Sequence, residues 1–282
     1  MVLRPGTGAT HNGRVVYLFA LFAILAGVLV YRRVARQQHR SGLLAQRLPE
    51  AVREILLAEV PLLRKLPEAH WPALEGKIHL FLDQVTFHGA DELEVTDEMR
   101  LAIAAQACLL VVNTDHWYDT LRTIIVYPGA FKSRVQRQSG YVVTEREVVR
   151  TGESWARGPV ILSWAHSEDG AQAPDDGHNV VLHEFAHQLD ALSGQADGAP
   201  VMSDAAFDEW RQVFVEAFET HQANVAAGRP TMLDAYGATA HEEFLAVAIE
   251  VFFEKPALLR ADEPGVYAQL VRFFRLDPVT WG

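Results

Sequence analysis

Apolar residues recur at helical spacing through most of the chain. Two helices are predicted at residues 50–66 and 71–85, with Pro67 and Pro72 marking the break between them. Thr96 and Asp97 offer an N-cap to a third, Ala-rich helix at 99–112. Further on, the same spacing predicts helices at 179–192, 204–226, 241–253 and 264–274.

The middle of the chain has shorter apolar runs that favour strands. Residues 121–127, 140–149 and 159–164 are predicted strands, and a turn is expected around Gly152 and Gly158. Residues 167–176 are polar and are interpreted as a flexible loop. The pattern therefore predicts an α+β fold, mostly helical, with a small sheet beside the helix at 179–192.

The N-terminal segment contains an uncharged run of 17 residues at 15–31. As a helix it would rise about 26 Å, near the lower limit for a bilayer core of about 30 Å, so a transmembrane helix is predicted. A cleaved signal peptide is the alternative, but no clear A-x-A site closes the run. Four arginines follow the run, whereas Arg4, Arg14 and the amino terminus precede it. This asymmetry favours a single-pass protein with a cytoplasmic body.

These patterns divide the chain into a tail (1–14), the transmembrane helix (15–31), a basic linker (32–49) and a body (50–282). Within the body, a helical part (50–115) is expected to precede a catalytic part (116–282).

Charge is distributed unevenly along the 282 residues, whose net charge is −11. Residues 1–50 hold seven of the 25 basic side chains and one of the 36 acidic ones, which leaves 18 basic and 35 acidic side chains in residues 51–282. An acidic body disfavours nucleic acid as a partner, because phosphate contacts need clustered Lys and Arg. The single cysteine, Cys108, lies in an apolar run and is interpreted as a buried thiol.

Two histidines and a glutamate interrupt the apolar segment 180–190, VVLHEFAHQLD. On a helix, His183 and His187 lie four residues apart on one face, where both imidazoles can reach one metal ion. Glu184 points beside that ion, where a carboxylate can take a proton from a metal-activated water. The motif thus predicts a metallopeptidase site. The alternative is a metal-free helical scaffold in which these histidines occur by chance. It would leave polar side chains unpaired in an apolar helix.

A catalytic zinc usually has a third protein ligand, which must come from elsewhere in the chain. The metzincin pattern is excluded, because it needs Gly and His where Asp190 and Ser193 stand. The nearly apolar segment 241–253 carries acids that need an explanation. Spacing alone does not choose among Glu242, Glu243 and Glu250.

Several motifs together resemble the Mlc titration factor A family. Its members are M90-type zinc peptidases with a zincin-like fold. Their site is gluzincin-like and related to that of the anthrax lethal factor catalytic domain. The segments are LRTIIVYPGAF (121–131), GPVILSW (158–164), DGHNVVLHEFAHQLD (176–190) and DAYGATAHEEFLAVAIEVFFEKP (234–256).

The resemblance implies one zinc ion per chain with Glu243 as its third ligand. It implies that Tyr236 donates its hydroxyl to the oxyanion formed during peptide hydrolysis. The implied activity is aminopeptidase-like, on short peptides. The apolar run at 15–31 departs from the well-known members of the family, and it predicts a location at a bacterial inner membrane rather than free in the cytosol. An alternative role is sequestration of a transcriptional repressor of the Mlc type.

Two further residues near the motif have more than one interpretation. Asp190 lies one turn after His187 and can either hydrogen-bond a ligand imidazole or anchor the following loop. His241 is expected mainly as a first-turn helix residue, with substrate contact as the less favoured alternative.

Overall fold

A computed structural model of the chain describes residues 9–139, 142–155 and 158–281, without the side chains of residues 9–21, 23, 132–139 and 142–149. The chain divides into two compact units, Met1–Ala45 and Gln46–Gly282. The first contains helix α1 (Ala9–Leu44). For residues 15–21 and 23, which make up about half of the predicted transmembrane run, the side chains are not among those described. Within the described part of the chain, no helix is both long and apolar enough to cross a membrane.

The second unit is mostly helical. Its helices are α2 (Glu50–Glu59), α3 (Trp71–Gln84), α4 (Asp97–Leu109), α5 (Trp164–Gln172), α6 (Val180–Asp190), α7 (Asp204–Ala226), α8 (His241–Glu254), α9 (Pro256–Asp262) and α10 (Pro264–Phe274). Short 3-10 turns at Pro61–Lys65, Glu68–His70, Ala191–Ser193, Ala235–Ala238 and Pro278–Thr280 connect or extend them.

A four-stranded sheet lies among these helices. It consists of β1 (Thr86–Gly89), β2 (Thr123–Tyr127), β5 (Gly152–Ser154) and β6 (Val160–Ser163), in the order β1-β2-β6-β5. The first three strands in that order run parallel, and β5 pairs antiparallel to β6 at one edge. A separate antiparallel hairpin joins β3 (Phe131–Ser139) to β4 (Val142–Arg150). The predicted α+β class, mostly helical with a small sheet, is confirmed.

The core of the second unit is built around α4, α6 and α8. Helix α4 packs against α3 and α6, and α6 packs against α8. Alanine has the highest helix propensity, and the Ala-rich α4 is buried along nearly its whole length behind the Thr96 cap. Phe185 of α6 completes this core by contacting Tyr118 and Phe81, with ring centroids 5.1 and 5.7 Å away.

Two predicted elements were wrong. The helix predicted at 50–66 ends at Glu59, because Pro61 lacks an amide proton and its ring disfavours helical backbone at the residue before it. The polar loop predicted at 167–176 is largely helix α5. Its start is capped by Ser163, whose hydroxyl accepts from the His166 amide. The segment lacks the apolar periodicity on which the sequence prediction relied.

Several short elements were not predicted. The turn expected around Gly152 is the edge strand β5, and β1, β3 and α9 were missed altogether. Residues 140–141 of the predicted strand at 140–149 lie outside the described residues, while the rest belongs to β4. Short strands with few apolar residues give little period-two signal, so pairing with neighbours decides them.

Candidate metal centre

The metal-binding candidates on α6 face one another across one turn. Asn179 begins this helix, since its side-chain oxygen accepts from the Leu182 amide at 3.0 Å. His183 and His187 follow at the i and i+4 positions, and their ring centroids are 4.9 Å apart. Both imidazoles therefore open onto the same small volume.

Glu243 reaches this volume from the first turn of α8. One of its oxygens, Oε2, lies 3.0 Å from Nε2 of His183 and 3.4 Å from Nε2 of His187. One ligand atom from each of the three residues lies within 4.8 Å of the others. A tetrahedral site with bonds of about 2.0–2.2 Å needs ligand atoms roughly 3.3–3.6 Å apart, so small shifts of these side chains would let them hold a metal ion, and such a donor set accepts several divalent metals.

The charges of this cluster compensate one another. Burial would raise the pKa of Glu243, but hydrogen bonds from His183 and His187 outweigh it and hold that pKa well below its usual range. Burial would likewise lower the pKa of His183, but the neighbouring carboxylates of Glu243 and Glu250 raise it well above its usual value. The cluster thus favours positive charge at its centre, which a proton or a metal cation can supply.

Glu250 orients the first histidine and was not identified as doing so from the sequence. Its Oε1 accepts from Nδ1 of His183 at 2.8 Å, and its other oxygen accepts from the Asn179 amide. An ionised carboxylate only accepts hydrogen bonds, so Nδ1 of His183 carries a proton. The other ring nitrogen, Nε2, faces Glu243 and is the atom that could bind a metal ion. The available signal was an acid two helical turns after Glu243 in a nearly apolar helix.

Glu184 lies on the neighbouring face of α6 and is buried. Burial raises its pKa to about 7, although His183 and His187 pull it the other way. A carboxyl with a pKa near neutrality is suited to exchanging protons with a reacting group.

Tyr236 precedes α8 in the 3-10 turn Ala235–Ala238, where the Asp234 side chain accepts from its amide at 2.7 Å. Its hydroxyl donates to Oε1 of Glu243 at 3.1 Å. Partial burial and the nearby Glu243 raise the pKa of Tyr236 to about 12, so the phenol keeps its proton and remains a hydrogen-bond donor.

Asp190 contacts the loop after α6. Its two oxygens accept from the amides of Gly198 and Ala199 at 2.8 and 2.9 Å. No hydrogen bond in the described part of the chain joins it to His187. Of the two interpretations of Asp190, these contacts agree with anchoring of the loop. The hydrogen bond to a candidate ligand imidazole comes from Glu250 instead.

His241 is directed away from the cluster. Its ring contacts that of Phe218 in a tilted arrangement with a centroid distance of 4.0 Å, and it borders a small cleft beside Trp210.

A cavity of about 880 Å³ opens onto the cluster. Besides Glu184, Glu243 and Glu250, its walls include five acidic side chains: Glu153, Asp169, Asp176, Asp234 and Glu242. Arg150 is the only Lys or Arg among the described lining residues. The cavity therefore favours cationic groups on a ligand.

Comparison with known proteins gives a family match over most of the chain. The family model described as glucose-regulated metallo-peptidase M90 matches residues 33–275. An uncharacterized protein of Synechocystis sp. is 38% identical over 268 residues, covering 92% of this chain and 97% of that protein. Mlc titration factor A of Klebsiella pneumoniae is 30% identical over 226 residues, covering 78% of this chain and 84% of that protein. Its Escherichia coli counterpart is 29% identical over the same length.

Proposed function

Because the chain belongs to the glucose-regulated metallopeptidase family M90, we propose that it is a zinc-dependent peptidase that hydrolyses peptide bonds with water. The observation that carries this proposal is the convergence of His183, His187 and Glu243 from two helices, with the buried Glu184 on the adjacent helix face. A site built only to stabilise the fold has no use for that fourth, proton-exchanging group.

In the proposed reaction His183, His187 and Glu243 hold one zinc ion. Bound zinc supplies Lewis acidity, which polarises the peptide carbonyl and lowers the pKa of water towards neutrality. Glu184 takes the proton of the attacking water as its oxygen adds to the carbonyl carbon. Tyr236 donates its hydroxyl to the oxyanion that develops. Glu184 then gives the proton to the leaving amine as the C–N bond breaks.

We propose short peptides with a free amino terminus as substrates. Acidic walls attract a protonated amine, and a cavity of about 880 Å³ has the size of pockets that enclose drug-sized ligands. The comparison of a tripeptide with its N-acetylated form tests this specificity. Acetylation removes the positive charge and is expected to abolish hydrolysis, whereas equal rates for the two peptides would contradict aminopeptidase-like action.

The chemistry is tested on the purified full chain by elemental analysis together with peptide hydrolysis. Wild type is expected to carry one zinc per chain, and His187→Ala and Glu243→Ala are expected to lose it. Glu184→Gln should keep the zinc and lose hydrolysis by at least about a hundredfold. Glu219→Gln, an exposed acid on α7, is the matched control and should behave as wild type. Retention of zinc in Glu243→Ala would show that the ligand assignment is wrong.

A regulatory role is the second candidate function. Its support is the name of relatives about 30% identical, Mlc titration factor A. In this alternative the chain sequesters a transcriptional repressor of the Mlc type and hydrolysis is secondary. Glu184→Gln separates the two candidates in cells: a lost phenotype supports catalysis, and an unchanged phenotype supports sequestration.

We further propose that residues 15–31 anchor the protein in a bacterial inner membrane with the body in the cytoplasm. The support is the uncharged sequence run and the exposure of its described apolar side chains, such as Phe22 and Leu29. The full chain is expected in the membrane fraction after alkaline carbonate extraction. Recovery in the soluble fraction would contradict the anchor.

A further inference from the structure

Strand β5 lies directly against the Glu184 carboxyl group. A Cβ atom built on Gly152 would be 2.3 Å from Oε1 of Glu184, 2.6 Å from its Cγ and 2.7 Å from its carboxyl carbon. Real Cβ atoms do not come this close to other heavy atoms. All three clashing atoms belong to Glu184, and Glu184 is itself buried. Position 152 therefore has no room for a side chain while Glu184 keeps its place.

Conformational freedom does not explain the glycine at this position. Gly152 is not among the glycines with positive φ, which are Gly177, Gly194, Gly198 and Gly228 in the described chain. Instead it pairs in regular antiparallel register with Leu162 of β6. An alanine could adopt this backbone, so the requirement at 152 is the close approach of strand and carboxyl group.

The strand is also fastened to α6, so it cannot move aside freely. The Gln188 side-chain amide donates to Oγ of Ser154 at 2.6 Å and to the carbonyl of Trp155 at 3.1 Å. Gln188 lies one turn after Glu184 and is buried. Helix α6 thus uses two neighbouring faces, with Glu184 and Gln188 towards β5 and the two histidines towards α8.

We propose that Gly152 is a positioning residue: the bare backbone of β5 forms one wall of the slot that holds the Glu184 carboxyl group beside the candidate metal ligands. This inference deepens the proposed peptidase function and rests on it. This wall of backbone atoms limits displacement of the carboxyl group towards β5, and the Gln188 contacts keep the strand and the helix together.

Gly152→Ala in the full chain tests the proposal when kcat, KM and zinc content are all measured on the same variant. The methyl group should push the carboxylate aside and lower kcat by about 10–100-fold, as expected for a misplacement near 1 Å, with KM changed less than threefold. Zinc content should stay at one per chain, since the ligands are on other side chains. Gly129→Ala is the matched control, because a Cβ there meets nothing within 4 Å, and it should keep wild-type kcat. Loss of zinc from Gly152→Ala, or an unchanged kcat, would overturn the proposal.

A thermal-unfolding cycle tests the same contact without relying on hydrolysis. Gly152→Ala should lower Tm by about 4–8 °C in the wild-type background, as overpacking does in a chain of this size. In the Glu184→Ala background the three clashing atoms are gone, so the same substitution should change Tm by less than about 2 °C. Equal losses in both backgrounds would overturn the proposal. If the Tm losses differ between the two backgrounds as expected but the wild type hydrolyses no peptide, the contact between Gly152 and Glu184 is supported. That result contradicts the peptidase function alone.

Discussion

At the scale of single residues, the hydrogen bonds of Glu250 connect the two helices that carry the candidate metal ligands. Glu250 accepts from Nδ1 of His183 while standing two turns from Glu243 on the same helix. The imidazole is thereby fixed with Nε2 directed towards Glu243 at 3.0 Å. A histidine free to rotate would lose this direction, so we expect Glu250 to influence metal binding without being a ligand itself.

Glu250→Ala is expected to weaken zinc binding by about 10–100-fold, which is the usual effect of removing a carboxylate that orients a ligand histidine. Competition with a chelator of known affinity measures this change. Glu250→Gln keeps an oxygen that can accept from Nδ1 and should lose less. Unchanged zinc affinity in Glu250→Ala would mean that His183 is held in place by packing alone.

At the scale of elements, the start of α6 is a polar junction within the core. Asn179 caps the helix through its side-chain oxygen, and its side-chain amide donates to Gln106 at 2.8 Å and to Glu254 at 3.1 Å. Burial raises the pKa of Glu254 to about 8, despite hydrogen bonds from Asn179 and Gly177 that favour its charged form. An uncharged side chain at 179 is therefore needed beside two buried acids.

Asn179→Asp should destabilise the chain by about 1–3 kcal/mol, although Asp is as good an N-cap as Asn. The substitution removes the amide donor and adds negative charge beside Glu250 and Glu254. Thermal or urea unfolding measures the loss. Thr96→Asp, at the exposed cap of α4, is the matched control and should be close to neutral. Equal effects at the two caps would contradict the role of this buried junction.

Element prediction succeeded where the pattern was long and failed where it was short. Helix α7 has the bounds predicted from spacing, 204–226, because its 23 residues repeat the amphipathic period several times. Helix α5 was missed because five of its nine residues are polar and its buried residues, Ser167, Gly170 and Ala171, are small and give little apolar signal. Strand β5 has three residues and exists through its pairing with β6.

At the scale of the whole molecule, the candidate metal ligands come from helices about 60 residues apart in sequence. His183 and His187 belong to α6 and Glu243 to α8, and these helices pack together in the core. A bound ion would therefore tie two central helices together, and metal binding and folding stability should be linked.

Zinc added to the metal-free full chain at about 100 times its Kd should raise Tm by roughly 5–10 °C, from a linkage energy of about 2.7 kcal/mol. Differential scanning calorimetry with and without a chelator measures the shift. His187→Ala removes a ligand and should show almost no shift. A shift of the same size in that variant would place the stabilising ion at another site.

The sequence by itself determined the local features of this protein. The apolar spacing, the Asn179 cap and the i, i+4 histidines all depend on residues within one or two turns of one another, so they can be predicted without knowledge of the fold. From residue spacing alone the third acid stayed open among Glu242, Glu243 and Glu250, and only the resemblance to a known family favoured Glu243.

Only the tertiary structure decided which groups meet. The approach of α8 to α6 brings Glu243 to the histidines and Glu250 to the far side of one imidazole. The edge position of β5 leaves no room for a side chain beside Glu184. These contacts join residues that are 30 or more positions apart, and packing of whole helices and strands sets their distances. Helical or strand periodicity in a single segment contains no information about such distances.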